Sequence, residues 1–356
     1  MPPFLQFLIR RFLLVPISLF IITFLLYAGV MLTPPDARAA LYIPNTSRMM
    51  TDEQYQRMIR IIIRDHHLDK PLPIQYAYWI KSLFEGGWGF SPSLRDEVLP
   101  SLLRRTPATV ELTFFSIILF VPLGLLAGAV SGWRQGKWFD SSFRGFAFFG
   151  TSIPSFILAL IFIAVFYVQL GWFAPARMSN QTKYQMQEES YKQPTGFMTV
   201  DALVNGRYDI FEESLRHLAM PVMTLSLFHW ATLGRLTRST IIETRKKEYI
   251  VSARARGVIE RRVLWKHAFR NALAPALTSM GLSAASLLTG VFVVEIIFGI
   301  NGVSEVITKA TSGIPDAPAA LGFAVYSVII VRVLMFLLDV VQAILDPRVR
   351  AEVLGQ

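Results

Sequence analysis

The chain has 356 residues, of which 53% are hydrophobic and 17% are charged, and its formal net charge is +10. Soluble domains are usually less apolar and about a quarter charged, so this composition favours a membrane protein over a soluble enzyme. The absence of cysteine excludes disulfides, thiolate metal sites and cysteine nucleophiles. In a membrane protein, excess Lys and Arg first indicates which loops face the cytoplasm. We therefore expect the basic residues to lie beside a lipid bilayer, and we expect no nucleic acid as a partner.

Six stretches reach or approach the roughly 20 apolar residues that a transmembrane helix needs. They are residues 12–32, 113–132, 145–176, 217–234, 271–294 and 317–345. The first is too long for a signal peptide, whose apolar region has about 7–15 residues, although residues 37–39 resemble a cleavage site. The fourth is short and contains two histidines, and the sixth is interrupted by Arg332 and Asp339. We therefore predict an all-α integral membrane protein with six transmembrane helices.

The distribution of lysine and arginine orients these six helices. Residues 235–270 contain 11 Lys and Arg against three acidic residues, and residues 10–11 and 133–144 are also basic. Residues 177–216 instead contain five basic against six acidic residues. Because basic loops face the cytoplasm, six spans place all three basic regions on that side, with both termini cytoplasmic. Residues 33–107 contain 10 Lys and Arg, but the rule weakens in segments longer than about 60 residues.

The predicted external segment after the first span has its own helical signals. Thr51 and Gln54 have the spacing of a capping box, and apolar residues at helical spacing follow them. A second amphipathic stretch begins after Pro73 and ends at residues 86–87, both glycine. We expect a small helical cap that packs on the bundle; docking of a partner is a secondary possibility.

The basic loop between the fourth and fifth spans predicts a short helix that ends near residue 257. Ile250, Val251, Ala253 and Ala255 offer a small apolar surface, and Gly257 can end the helix with positive φ. Such a helix can fit a groove on another protein. A basic amphipathic helix can equally lie on anionic lipid, and the residues by themselves leave both interpretations open.

This loop resembles the coupling loop of ABC importer permeases, in the version used by the dipeptide, oligopeptide and nickel permeases. In that version a Tyr-Val-x-Thr-Ala-Arg-Ala-Lys-Gly-like string precedes an Arg-Asn-Ala-like one, which here are residues 249–257 and 270–272. Val251 replaces the Glu of the general motif and Arg270 replaces its final Pro, as is usual in the peptide subfamily. The resemblance implies that an ATPase contacts a set of loop residues: Tyr249, Val251, Ser252, Ala253, Arg254, Ala255 and Gly257.

The resemblance extends along nearly the whole chain, and the order and spacing of its motifs carry it more than any single motif. The matching positions are residues 68–72, 78–79, 87–91, 107–112, 152–156 and 346–350, with Glu295, Phe298, Gly302 and Val303. It implies the type I ABC importer transmembrane fold over residues 107–345, including the coupling loop 235–270. Residues 1–106 would be the first span and external segment, and residues 346–356 a cytoplasmic tail.

The family resemblance also implies the function. The chain would be a permease subunit that forms the pathway for peptides delivered by an extracytoplasmic solute-binding protein. It would pair with a second homologous permease and with two cytoplasmic ATPase subunits that bind ATP and Mg. The chain itself lacks a Walker A motif, since Gly136 and Lys137 are followed by Trp138, so we expect neither enzymatic activity nor a cofactor or metal site here.

Other functions remain open from the sequence. Within the same importer class the substrate could be nickel, glutathione or an oligosaccharide. A different class, an ATP-independent channel or ion-coupled transporter, would be favoured by buried acids along a path or by inverted repeats, and no clear repeat is evident.

Ionisable and polar residues within the predicted spans are candidates for the pathway or for pairing inside the membrane, because charge there is costly. Arg332 and Asp339 are seven residues apart and share a helical face, which favours structural pairing. Glu295 lies near the outer end of the fifth span, and His229 lies on the fourth. His229 could line the pathway or bond a neighbouring helix. Small residues at four-residue spacing on the fifth span, at 281, 285, 286 and 290, predict close helix packing there.

Overall fold

The computed structural model describes residues 16–25, 27–29, 32–40, 42–43, 51–65, 67–188, 190–312 and 316–345, and these are mostly helical. The predicted all-α class is confirmed, with one addition, a short antiparallel hairpin of β1 (Phe90–Ser91) and β2 (Asp96–Glu97). The first helices are α1 (Pro16–Gly29), α2 (Pro35–Ala40), α3 (Asp52–Asp65), α4 (Leu72–Phe84), α5 (Val98–Trp133), α6 (Trp138–Ser152) and α7 (Ser155–Phe162). They are followed by α8 (Asn180–Gln185), α9 (Met198–Val204), α10 (Tyr208–Thr244), α11 (Glu248–Ala255), α12 (Glu260–Arg262), α13 (Phe269–Phe298), α14 (Ser304–Thr311) and α15 (Ala317–Leu345). π-Helical turns over Ile163–Gln169 and Val263–Ala268 follow α7 and precede α13.

Four of the predicted spans lie within long helices: residues 113–132 in α5, 217–234 in α10, 271–294 in α13, and 317–345 in α15. In the described part of the chain, two helical stretches are long and apolar enough to cross a membrane, Val98–Trp133 and Pro318–Phe336. A third is added if α6 and α7 together form one bent span. The number six therefore remains a prediction, and the predicted tail after residue 345 lies outside the described residues.

The third predicted span, residues 145–176, is not one helix. Helix α6 ends at Ser152, α7 begins at Ser155, and the two axes differ by 102°. Pro154 causes the break, because it lacks an N–H group and keeps the preceding residue out of the helical region. Ile153 accordingly has extended backbone angles, φ −96° and ψ 120°.

The described chain divides into two compact units. One comprises Pro107–Asn301 and the end of α15 from Leu334, and the other comprises the chain up to Thr106 and Gly302–Val333. The domain boundaries proposed from the sequence remain predictions.

The unit that contains the chain up to Thr106 has the helical structure predicted for residues 51–87. The capping box is present: the Thr51 N–H donates to Gln54 Oε1 at 3.1 Å, and the Gln54 N–H donates to Thr51 Oγ1 at 3.4 Å. Ile59 of α3 is buried with Ala39 and Leu68. Helix α4 ends just before Gly86, as predicted from the paired glycines.

Thr51→Ala is expected to lower the local stability of the start of α3 by about 1 kcal/mol, because the cap hydroxyl satisfies a helical N–H that otherwise has no partner. Hydrogen exchange of residues 52–55 measures the effect. Thr311→Ala is the matched control, since the Thr311 hydroxyl donates to the Ile307 and Thr308 carbonyls within its own helix α14 and caps no N–H group. Equal protection in the Thr51 variant and the native protein would show that the capping box does not stabilise α3.

The core of the other unit is built by α5, α7, α10 and α13. Its fully buried side chains include Leu112, Phe120, Leu225 and Leu287. Helices α5 and α10 approach closely, because a Cβ atom added at Gly128 would collide with the Gly234 carbonyl oxygen.

Gly128 is the middle member of a glycine repeat at residues 124, 128 and 132, a small-residue pattern that lets backbones come together. Close helix packing was predicted on α13 from its small residues, whereas this repeat on α5 was not predicted. Of the four α13 positions in that prediction, only Ser286 and Gly290 have described side chains.

The polar segment between α7 and α10 is folded around a buried carboxylate of α5. Glu111 is 3% exposed and accepts hydrogen bonds from the N–H and hydroxyl of Thr199, at 2.8 and 2.6 Å, and from Arg177 at 3.2 Å. On α10, burial raises the pKa of Glu213, but hydrogen bonds from Thr182 and Ser179 outweigh it and hold the pKa below its ordinary value. The buried carboxylate of Glu111 and the partly buried one of Glu213 thus hold this polar segment against the helices on either side.

Candidate functional site

Helix α11, which carries most of the predicted coupling residues, packs one face on the bundle. Ile250 and Ala253 are 0% and 1% exposed. They join a cluster formed by Ala129, Ile241, Val263, Leu264, Ala268 and Ala272. The expectation that Ile250 and Ala253 share one outward apolar surface with Val251 and Ala255 is therefore wrong. Residues 250 and 253 are three apart and so lie on the same inward face of the helix.

The end of α11 has the backbone geometry that the sequence predicted. Gly257 has φ +75°. Its N–H donates to the Arg254 carbonyl at 2.9 Å, and the Val258 N–H donates to the Ala253 carbonyl at 3.2 Å. This paired pattern is a Schellman motif, in which the residue with positive φ is usually glycine. A Cβ atom at Gly257 would meet no atom within 4 Å, so the backbone conformation, rather than crowding within the chain, calls for glycine.

Trp133, the last residue of α5, lies between two arginines of the loop. The guanidinium carbons of Arg245 and Arg254 lie 5.3 and 5.1 Å from its ring centroid, within cation–π range. Arg245 also donates to the Trp133 carbonyl at 2.8 Å, which satisfies the free end of α5. Arg254 in turn makes a bidentate pair with Glu260, at 2.7 and 3.3 Å. These contacts tie α11 to the end of α5 and to the start of α12.

Tyr249 makes a further link from α11 to α13. The side-chain nitrogen of Asn271 donates to the Tyr249 hydroxyl at 3.0 Å and to the His267 carbonyl at 2.8 Å. Helix α11 is thus connected by polar contacts to the start of α13 and, through Trp133, to the end of α5. A displacement of α11 would pull directly on both helices.

The outward face of α11 is left uncovered by the described residues. Val251 is 56% exposed, Ile259 just beyond the helix is 74% exposed, and Tyr249 is 39% exposed. The other exposed residues are the acidic Glu248, the basic Arg256, and the small Ser252, Ala255 and Gly257. A narrow apolar ridge with a polar and charged rim suits insertion into a cleft of another protein, because only the centre of such an interface needs to be apolar.

A buried ion pair beneath this site was missed by sequence analysis. Asp140 of α6 is 1% exposed and accepts hydrogen bonds from Arg238 of α10, with Nη2 to Oδ2 at 2.9 Å. It also accepts from the Ser131 hydroxyl at 2.6 Å and the Gly136 N–H at 2.9 Å. One carboxylate therefore joins α5, α6 and α10. The only signal in the sequence was an acidic residue within an otherwise basic loop.

The four predicted intramembrane residues have different environments. Glu295 is fully buried and accepts a hydrogen bond from the Thr109 hydroxyl. His229 is 5% exposed and lines a cavity. Arg332 is half-buried in α15, and the side chain of Asp339 lies outside the description. The pairing of Arg332 with Asp339 stays a prediction.

These features define a class of protein: a helical membrane component with an exposed helix, α11, that is suited to contact a partner. The family model described as "binding-protein-dependent transport system inner membrane component" matches residues 121–351. The chain belongs to this family, and it is therefore a multi-pass membrane protein of an ABC transport system with the type I importer membrane fold. Family members work with ATPase and solute-binding partners, so ATP hydrolysis is not the task of this subunit.

Relatives match the chain over almost its full length. It is 31% identical over 347 residues to the di/tripeptide transport system permease protein DppB of Pseudomonas aeruginosa (strain UCBPP-PA14), covering 97% of this chain and 99% of the relative. It is 29% identical over 348 residues to the dipeptide transport system permease protein DppB of Bacillus subtilis (strain 168), covering 97% and 98%. The corresponding DppB protein of Alkalihalophilus pseudofirmus is 32% identical over 283 residues, covering 80% and 83%.

Proposed function

We propose that the chain is a permease subunit of an ATP-driven importer and forms half of the pathway by which peptides enter the cell. A solute-binding protein delivers the peptide from outside, a second homologous permease completes the pathway, and two cytoplasmic ATPases bind ATP and Mg. Six spans with cytoplasmic termini accompany this proposal, supported by the basic character of residues 235–270. Peptide is preferred over nickel, glutathione or an oligosaccharide because the relatives are named as peptide permeases.

The observation that carries the proposal is the exposed face of α11 on a firmly attached helix. Its inward residues are buried, its end is fixed by a Schellman motif, and its outward side presents Val251 in a polar and charged setting. A helix lying on lipid would need a broad apolar face, whereas this ridge is narrow. The predicted contact residues Tyr249, Val251, Ser252, Ala255 and Gly257 are all exposed, so each is available to an ATPase cleft. Ala253 and Arg254 would contribute indirectly, because their contacts within the chain hold α11 in position.

Coupling follows from the contacts of α11. Closure of the ATPases on ATP would move α11, and the Trp133 and Asn271 links would transmit the movement to α5 and α13. Because Asp140 joins α6 and α10 to α5, these two helices would move as well. The bend between α6 and α7 lies on the same connected group of helices, so movement at the cytoplasmic face can alter the pathway inside the membrane.

Uptake by the complete complex in proteoliposomes tests the proposal. Radiolabelled dialanine or trialanine should accumulate only with the solute-binding protein outside and ATP inside, and excess unlabelled peptide should compete. If nickel, glutathione or an oligosaccharide competes and unlabelled peptide does not, that compound and not peptide is the substrate. Uptake that persists without ATP would favour the channel or ion-coupled class and overturn the importer mechanism.

A further inference from the structure

The bend between α6 and α7 opens a cavity of about 320 Å³ against α10 and α13. Its lining residues are Thr151, Ser152, Ile153, Pro154, Ser155, Leu225, Phe228, His229, Ser286 and Gly290. This volume is at the lower end of small-molecule sites, which span about 300–1,000 Å³. Most of the wall is apolar, and the polar groups are concentrated at the helix break and at His229.

His229 has a buried nitrogen without a partner. Its side chain is 5% exposed, its ring lies 5.4 Å from the Phe120 ring and 5.3 Å from the Phe228 ring, and Nδ1 has no hydrogen-bond partner among the described residues. A buried polar atom left unpaired costs free energy, and because His229 lines the cavity, we infer that the partner of Nδ1 arrives from outside the chain.

The helix break supplies further unpaired groups on the same wall. Helix α7 begins at Ser155 with no side-chain cap, so the N–H groups of Ser155 and Phe156 lack an intrahelical acceptor. Of the last carbonyls of α6, that of Phe149 accepts from the Ile153 N–H at 3.3 Å, and those that follow it lack an intrahelical donor. Backbone donors and acceptors are therefore available at Ser152–Ser155, which line the same cavity as His229.

A ligand that matches this wall must carry both hydrogen-bond donors and acceptors and tolerate apolar neighbours. The main chain of a peptide has this chemistry in every residue, independently of the side chains. A lipid chain would leave the polar groups unpaired, and a metal ion would lack carboxylate ligands.

We propose that His229 and the α6–α7 break form a binding site for the main chain of a peptide in transit, an inference that rests on the proposed function. Broken helices in membrane transporters commonly expose backbone groups to the substrate in this way. Leu225, Phe228 and Pro154 provide apolar walls that accept varied side chains.

Import by His229 variants is the first test, using the reconstituted complex and radiolabelled trialanine. His229→Leu should lower the import rate about tenfold, because it removes the hydrogen-bonding nitrogen from a buried site. His229→Gln keeps a polar side chain and should retain most of the rate. Thr232→Val, one turn along α10 and outside the cavity lining, is the control and should import normally. Unchanged import by His229→Leu would overturn the proposal.

Because the chain has no cysteine, protection of an introduced cysteine gives a second test with His229 intact. Ser286→Cys lines the cavity, and Ser239→Cys is a matched control, since both serines are exposed and donate to the carbonyl three residues before them. Peptide-loaded binding protein with a non-hydrolysable ATP analogue should slow methanethiosulfonate labelling at residue 286 severalfold and leave residue 239 unchanged. The proposed site would be overturned if peptide does not slow labelling at residue 286. It would also be overturned if only membrane-permeant reagents label that residue. If the native complex imports no peptide at all, the proposed function fails before this site is tested.

Discussion

Gly257→Arg is expected to detach the ATPase subunits from this permease and to abolish transport. Gly257 has φ +75°, a conformation that costs an L-residue roughly 1–2 kcal/mol, so the Schellman motif at the end of α11 would be strained. The arginine side chain would also stand on the outward face, where a Cβ atom meets none of the described residues within 4 Å. In the proposed complex that space belongs to the ATPase, and the combined effect should lower ATPase retention in mild detergent by at least about tenfold.

Two variants separate backbone strain from the steric effect. Gly206→Arg is the matched control, because Gly206 also has positive φ (+67°) and open space around its Cα, but lies in the segment predicted to be external. It should leave ATPase retention unchanged. Gly257→Ala introduces the strain without the bulk and should fall between the native protein and Gly257→Arg. Normal ATPase retention and normal peptide uptake with Gly257→Arg would exclude α11 as the docking helix.

Asp140→Ala is expected to have the largest effect on stability, about 3 kcal/mol or more. The substitution leaves the guanidinium of Arg238, 21% exposed, without its partner, and the Ser131 hydroxyl and Gly136 N–H lose their acceptor as well. Breaking a buried pair by removing one member typically costs 3–5 kcal/mol, and the partial exposure of Arg238 places this pair near the lower end. Thermal unfolding of the detergent-solubilised subunit should show the loss as a lower midpoint.

Asp140 should also affect coupling, because it holds α5, α6 and α10 together beneath α11. Asp140→Asn keeps the shape and one acceptor oxygen, so it should be less destabilising and still show weaker stimulation of ATP hydrolysis by peptide-loaded binding protein. Asp209→Asn is the control: Asp209 is 59% exposed and pairs with Arg207 at the surface, so its loss should change neither measurement. If Asp140→Ala unfolds at the native temperature, the buried pair does not stabilise the bundle.

Short-range signals in the sequence predicted the local structure well. The capping box at Thr51, the end of α4 before Gly86 and the end of α11 at Gly257 all depend on residues within one or two turns. Pro154 also acts at short range, because it breaks the helix through its own backbone geometry, but the 102° bend was not predictable, because the angle depends on what the two helices pack against.

Contacts between distant parts of the chain were predicted poorly. The outward surface expected for α11 was half wrong, because the choice of buried face depends on Ile241 and Val263 in neighbouring elements. The pair between Asp140 and Arg238 joins residues 98 positions apart, and neither residue has an unusual local sequence.

The sequence by itself determined that this is a helical membrane protein, where its charged loops lie, and which loop carries the family's coupling motif. Length, hydrophobicity and charge act locally or additively, so they can be read without a structure. Only the tertiary structure decided which residues of α11 are exposed, which carboxylate joins α5, α6 and α10, and that the α6–α7 break and His229 line one cavity. Those properties depend on the rotation and register of helices that are distant in the chain, and packing sets both.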